Sequence, residues 1–367
     1  MWFGRLPVAQ AAGAILAHGV RQAGLSFRKG RVLSLADVAQ LQEAGIFELT
    51  AARLERGDVA EDEAAARIAR AAAGHGVRVG AAFTGRANLY AESAGVLVID
   101  AERIGAANRL DEAVTLASLP SFAKVAAGQM LATIKIIPFA APETTICRIE
   151  SCLAQGPVTR VAPFRPQRAA LISTVLPGMK QALLAKTRQA LDTRLNPLGS
   201  SVAFERRVAH GIEAVAEAIR EAVDAGADAI FLMGASAIAD RRDVLPAALL
   251  EAGGLVTALG MPVDPGNLLM MGRLGDHVVV GLPGCARSPK LNGFDFVLWR
   301  VLAGLEAGRK EIAAMGVGGL LADTAERLHP REMKASSPHL PRIGAIVLAA
   351  GQSSRMGRTG RARNKLL

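Results

Sequence analysis

The sequence predicts an α/β protein: a three-layer domain with a parallel sheet over residues 165–305, preceded by an N-terminal α+β region over residues 1–160. Three observations predict it. Between residues 168 and 305 short apolar runs alternate with stretches of helical spacing, the pattern of a parallel sheet covered by helices on both faces. Two of those runs, residues 229–233 and 278–280, end in small-residue turns, Gly234-Ala-Ser-Ala237 and Gly281-Leu-Pro-Gly284. The chain of 367 residues is 51% apolar and 21% charged, enough to bury roughly two or three cores.

In order along the chain, residues 9–20 carry an Ala/Ile/Leu face and read as a helix rather than an export signal, since Pro7 and Gln10 interrupt the apolar stretch. Residues 27–33 read as a turn entering a strand. Ser34 then caps a helix over residues 35–44 that Gly45 closes. A second helix opens after Asp58, with Glu61, Asp62 and Glu63 at the positive end of its dipole. Residues 83–88 form a polar loop whose Thr84, Arg86 and Asn88 either face an anionic ligand or serve only the turn. Strands come next at residues 95–100 and 131–138, and the Pro-rich stretch 156–166 reads as a linker.

The second domain opens with a buried strand at residues 168–174 and a helix from 180 to 191. A short strand at 202–205 precedes an amphipathic helix over 210–225, with Ile212, Val215, Ala216, Ile219 and Val223 on one side. After the strand at 229–233 come a helix at 244–252, strands at 254–258 and up to Met271, the strand at 278–280, and a helix from 294 to 305. Residues 306–341 read as a helix, over 320–328, and a flexible connector. Residues 342–367 form a separate end: an apolar strand enters a Gly/Ser loop flanked by Arg355 and Lys365.

In an open α/β sheet ligands gather at the carboxyl ends of strands, where small residues let backbone N–H groups approach an anion. The Gly234 and Gly284 turns are such ends. Asp240, Arg241, Arg242 and Asp243 lie behind one, and Arg287, Ser288 and Lys290 behind the other, so together they predict a pocket for an anionic small molecule. The plainer roles stay open: helix caps or surface ion pairs for the acids, an ordinary turn for Pro283 and Gly284.

The last residues carry the most specific pattern. Leu348-Ala-Ala-Gly-Gln-Ser-Ser-Arg-Met-Gly357, resumed by Asn364-Lys-Leu-Leu367, resembles the start of the MobA-like nucleotidyltransferases that attach CMP or GMP to molybdopterin. The resemblance implies that Gly351, Arg355 and Lys365 bind a nucleoside triphosphate, with CTP used only by a complete protein. The chain stops before the rest of that family's sheet and its metal-binding acids, so this part reads as a truncated start.

With that pointer, the second domain resembles the molybdopterin-binding domain shared by molybdopterin molybdotransferases and MoaB/Mog proteins. The likeness rests on Ala170-Leu-Ile-Ser-Thr174, the Gly234-x-Ser236 turn with Asp240 and Asp243, Gly260-Met-Pro262 and Gly281-Leu-Pro-Gly284. Residues 1–160 look distantly like the flanking regions of molybdotransferases. The resemblance implies molybdopterin, or its nucleotide form, as the ligand. Gly234, Gly281, Pro283 and Gly284 would form the turns around it, Ser236 and Ser288 would offer hydroxyls, and Arg241, Arg287 and Lys290 would offset its phosphate. Asp240 and Asp243 would carry the chemistry, by holding the pterin ring or a Mg²⁺ while molybdate is inserted into the dithiolene and a nucleotide is lost.

Two departures stand out. The family turn G-G-x-S-x-G is only partly present in residues 234–240, and its S-T-G-D/N-E strand end is Ser173-Thr-Val-Leu-Pro177 here. They bear on insertion more than on pterin binding. The alternative is a noncatalytic carrier that holds the cofactor for a molybdenum hydroxylase. A homo-oligomer is compatible with either reading.

Composition narrows the other classes. Aromatics are 4% and no groove-reading motif is present, which argues against nucleic acid despite a net charge of +10. Five of the cations fall in residues 355–367, a solvated tail. No run reaches the roughly 18 apolar residues of a membrane span. Three cysteines without a C-x-x-C pair predict a reduced, cytoplasmic setting.

Overall fold

The computed structural model describes residues 1–22 and 24–321. Ser34 opens the first helix, Leu35–Glu43, with reciprocal bonds: Asp37 N–H donates to Ser34 Oγ at 3.1 Å, and Ser34 N–H donates to the Asp37 carboxylate at 3.0 Å. Gly45 ends it in the left-handed region, at φ 73°. The expected helix over residues 9–20 is absent. A 3₁₀ turn at Val8–Gln10 and the short strands Ile15–Leu16 and Val20–Gln22 take its place. Ala11, Ala14, Leu16 and Ala17 are buried because the segment threads through a small core. Leu16 N–H donates to Arg31 and Ala17 N–H to Thr50, so the backbone bonds go to distant chain rather than along a helix.

Helix Glu61–Ala72 lies on a four-stranded antiparallel sheet in which Val114–Ser118, Met130–Ile136, Arg86–Ala91 and Val77–Val79 are successive neighbours. Its first-turn acids do local work. Asp62 accepts from Gly85 N–H at 2.6 Å, and Glu61 stands 3.6 Å from Lys135. The loop expected at residues 83–88 is the tip of a hairpin, with Thr84 and Gly85 both at positive φ and a strand from Arg86. The expected linker at 156–166 contains the strand Thr159–Pro163, paired antiparallel with Gly95–Ile99. Proline tolerates that place because it stands at the strand's end.

From Arg168 the chain builds one six-stranded sheet. We number its elements β1 (Arg168–Val175), α1 (Gln181–Leu195), β2 (Ser201–Ala209), α2 (Ile212–Asp224), β3 (Ala229–Met233), α3 (Val244–Glu251), β4 (Leu255–Leu259), β5 (Met270–Leu274), β6 (His277–Gly281), α4 (Gly293–Leu302) and α5 (Arg309–Ala313). The spatial order is β2-β1-β3-β6-β5-β4. Strand residues alternate between two cores. Leu171, Phe231 and Val280 pack with α1, α4 and α5, while Ile172, Leu232 and Val279 pack with α2 and α3. That is the expected three-layer plan.

The sheet is not all parallel. β5 runs antiparallel to both β6 and β4. Only Gly275 and Asp276 separate β5 from β6, a connection that can join antiparallel neighbours but is too short for a parallel crossover. Of the helix expected at residues 320–328, Leu320 instead makes a bridge to Asp264. The remainder of that helix, and the nucleotidyltransferase-like end at 342–367, lie outside the described residues.

Candidate functional site at the carboxyl edge of the sheet

Strands β3 and β6 are parallel neighbours, so both glycine turns leave the sheet at the same edge. They are stitched there by Leu282 N–H, which donates to Leu232 O at 2.8 Å. Gly234 must be glycine for a geometric reason: a Cβ would stand 2.5 Å from the Ser236 carbonyl oxygen. At Gly281 a Cβ would come within 2.7 Å of Ile238 Cδ1, so the loop after β3 lies directly across the end of β6.

Arg287 joins the two corners. It sits on the 3₁₀ turn Gly284–Arg287, and its Nη2 donates to Gly234 O at 3.3 Å while Nε donates to Thr187 Oγ1 at 3.1 Å. The side chain is half-buried, and burial pushes its guanidinium below the usual arginine value. Among the described residues no carboxylate pairs with it. A half-buried cation held by neutral acceptors keeps attraction to spare for an anion.

The loop carrying Arg287 is fixed from below. Arg194 of α1 and Asp295 of α4, both buried, pair at 2.7 Å. Arg194 also donates to the carbonyls of Ala286 and Ser288, at 3.1 and 2.7 Å. Asn292 caps α4, accepting from Phe294 N–H, and its amide donates to Lys290 O at 3.0 Å. Ser288 Oγ accepts from Lys290 N–H, and Lys290 itself is exposed. Pro283 is buried and Gly284 exposed, which leaves the turn's backbone open at its first glycine.

Across the edge, the exposed Ser236 hydroxyl lies 3.0 Å from His210 Nε2. His210 Nδ1 is 2.8 Å from Thr174 Oγ1, and that buried hydroxyl also accepts from Ala235 N–H at 2.7 Å. The ends of β1, β2 and β3 are thereby tied together.

Asp240, Arg241 and Arg242 turn elsewhere. With Gly260, Met261 and Arg309 they line a cleft of about 1130 Å³ at the end of β4, to which Gly234, Ser236, Gly284 and Arg287 contribute nothing. Asp240 pairs with exposed Arg242 at 2.7 Å, and Arg241 donates to Val256 O at 3.2 Å. Asp243 accepts from the N–H groups of Ala239 and Asp240, at 2.5 and 2.8 Å, and these bonds hold its carboxyl below the usual range. Both acids thus brace the loop. Each is engaged through one carboxylate oxygen, Oδ1 of Asp240 and Oδ2 of Asp243. Among the described residues no three His, Cys, Asp or Glu side chains group as metal ligands.

Set beside these positions, residues 172–303 match the family model described as a probable molybdopterin binding domain. On that match, the segment is assigned to the family of probable molybdopterin binding domains. Residues 5–53 match a domain of unknown function, DUF8806. No curated protein matches the chain.

Among solved structures, a molybdopterin biosynthesis MoeA protein from Pyrococcus horikosii is 16% identical, with 83% of this chain and 75% of that chain covered and a TM-score of 0.28. A structure described as MogA is 23% identical over 36% of this chain and 92% of its own, with a TM-score of 0.26. A molybdopterin biosynthesis protein from Mycobacterium abscessus is 16% identical over 38% of this chain and 99% of its own, with a TM-score of 0.27. The assignment of residues 172–303 stands on the family match alone.

Several residues at this edge escape a reading of the sequence. Asn292-Gly-Phe-Asp295 is a capping signal that places the start of α4, and it is visible in the letters. Thr174 is marked in the letters only as the end of the Ala170–Thr174 motif, and nothing there marks Arg194 or His210. Their partners are brought to them by crossovers.

Proposed function

We propose that residues 172–303 bind molybdopterin or its nucleotide form, with the ligand's phosphate at the corner shared by Gly234, Ser236, Gly284 and Arg287, as a step in molybdenum cofactor assembly. The observation that carries this is Arg287, a half-buried guanidinium bridging both glycine turns inside the segment that matches the probable molybdopterin binding family. Lys290 and the Ser288 hydroxyl would stand at the rim of the phosphate. Arg241, in the neighbouring cleft, would meet a longer, nucleotide-bearing ligand.

The test is titration of the protein with molybdopterin. Arg287→Ala removes a charge-assisted contact, so affinity should fall by about tenfold or more. Arg287→Lys should recover little of it, because an ammonium cannot hold Gly234 O and a phosphate in one plane. Unchanged binding in Arg287→Ala would reject this corner as the phosphate site.

Once the ligand is bound, a carrier role for a molybdenum hydroxylase, without catalysis, is favoured over molybdate insertion by the state of Asp240 and Asp243, both engaged within their loop. Molybdate-dependent release of nucleotide from adenylylated molybdopterin would reverse that preference. Tight binding without turnover would support the carrier. The nucleotidyltransferase-like end is a separate proposal: Gly351, Arg355 and Lys365 would hold the phosphates of CTP only in a protein that carries the rest of such a domain. Loss of CTP binding in Arg355→Ala together with Lys365→Ala of such a longer protein is its test.

A further inference from the structure

The chain of bonds Thr174–His210–Ser236 has a direction that the hydrogen count fixes. Thr174 is 1% exposed, so its hydroxyl hydrogen needs an acceptor within the protein. Its oxygen already receives Ala235 N–H, and His210 Nδ1, at 2.8 Å, is the acceptor at hand among the described residues. With Nδ1 accepting, a neutral imidazole carries its hydrogen on Nε2. That hydrogen is then donated to Ser236 Oγ, 3.0 Å away. The serine oxygen is occupied as an acceptor, and its own hydrogen is left to point outward from an exposed position.

The geometry points to His210 as a positioning residue that makes Ser236 a hydrogen-bond donor toward the bound anion, not a nucleophile. The opposite tautomer would draw the serine hydrogen onto Nε2 and activate Oγ for attack. Here that would leave the buried Thr174 hydrogen without its acceptor. Arg287 holds the carbonyl of Gly234, two residues before Ser236, so the donated hydroxyl and the guanidinium belong to the same turn. This inference rests on the reading of that turn as a phosphate site. The tautomer, however, is a property of the ligand-free protein.

Two measurements test it on the full chain. In ¹⁵N-histidine spectra, with the His210 resonances assigned by their loss in His210→Gln, the ring should show hydrogen on Nε2. Hydrogen on Nδ1 overturns the inference, whatever the ligand proves to be. In molybdopterin titrations, Ser236→Ala and His210→Phe should each weaken binding by about tenfold, and the double variant should be no worse than Ser236→Ala alone. His210→Gln, whose amide can still donate toward Ser236 Oγ, should retain most of the affinity. Independent losses that multiply in the double variant overturn the inference. Full affinity in His210→Phe beside weakened binding in Ser236→Ala overturns the role of His210 while leaving the phosphate site intact. Covalent labelling of Ser236 by a fluorophosphonate would show a nucleophilic serine and also overturn it. Absence of molybdopterin binding by the unaltered protein would remove the phosphate reading, and with it the donor role.

Discussion

Gly234 shows how little room one position at the corner allows. An added methyl group would meet the Ser236 carbonyl oxygen at 2.5 Å, and that contact is backbone, which cannot swing aside. Gly234→Ala should therefore lower stability by about 1–3 kcal/mol and displace Ser236 from His210. A drop in the urea midpoint with weaker molybdopterin binding would bear this out, and an unchanged midpoint would refute it. The glycine, the serine and Arg287 are all legible in the sequence, since small residues after an apolar run, with a cation beyond them, are a local pattern. The pairing of Thr174 with His210 is not. One reads as the end of a strand and the other as the start of a helix, and only the parallel crossover from β1 through β2 sets them beside Ser236.

At the scale of elements, α1 and α4 hold the Gly284 loop through the pair Arg194–Asp295, 101 residues apart in sequence. Both side chains are nearly buried, at 8% and 9% exposure, so removing one partner strands a charge in the core. Asp295→Ala should cost about 3–5 kcal/mol. Asn292→Ala, which loses the cap and the neutral bond to Lys290 O but strands no charge, should cost about 1–2 kcal/mol. Denaturant unfolding of the two variants would read the difference, and equal costs would mean that the ion pair is not what fixes the loop. The edge strands illustrate the reverse case. Alternation of strand with helix predicts a wholly parallel sheet, but the two-residue link Gly275-Asp276 already dictates a hairpin. That signal is local and readable.

Across the whole molecule, several carboxylates are held below their ordinary range. Arg31 and the Ser34 backbone do this to Asp37, the Arg103 backbone and side chain to Asp100, and Arg67 to Glu143. The unfolded chain binds protons more readily at these groups than the folded one. Their stabilisation is thus complete above the unfolded carboxylate values, near pH ~4, and is lost as pH falls through that range toward the lower folded values. The melting temperature should be level between about pH 6 and 7 and decline below about pH 4. Asp37→Asn should reduce that decline, and an acid slope identical to that of the unaltered protein would contradict the assignment.

What the sequence by itself determined is local: the capped helix after Ser34, the buried strands at β1 and β3, the apolar face of α2, the helix α3, and the two glycine turns. Periodicity and turn chemistry act over a few residues, and these features need nothing more. The tertiary structure decided which turns share an edge, that Arg287 spans them, and that Asp240 and Arg241 face a different cleft from Ser236. It also decided that the apolar residues 9–20 thread a core instead of coiling into a helix. The physical reason is common to all of these. A side chain's pattern in the sequence states that it will be buried or turned, but its partners come from strand order and crossover, which bring together residues far apart along the chain.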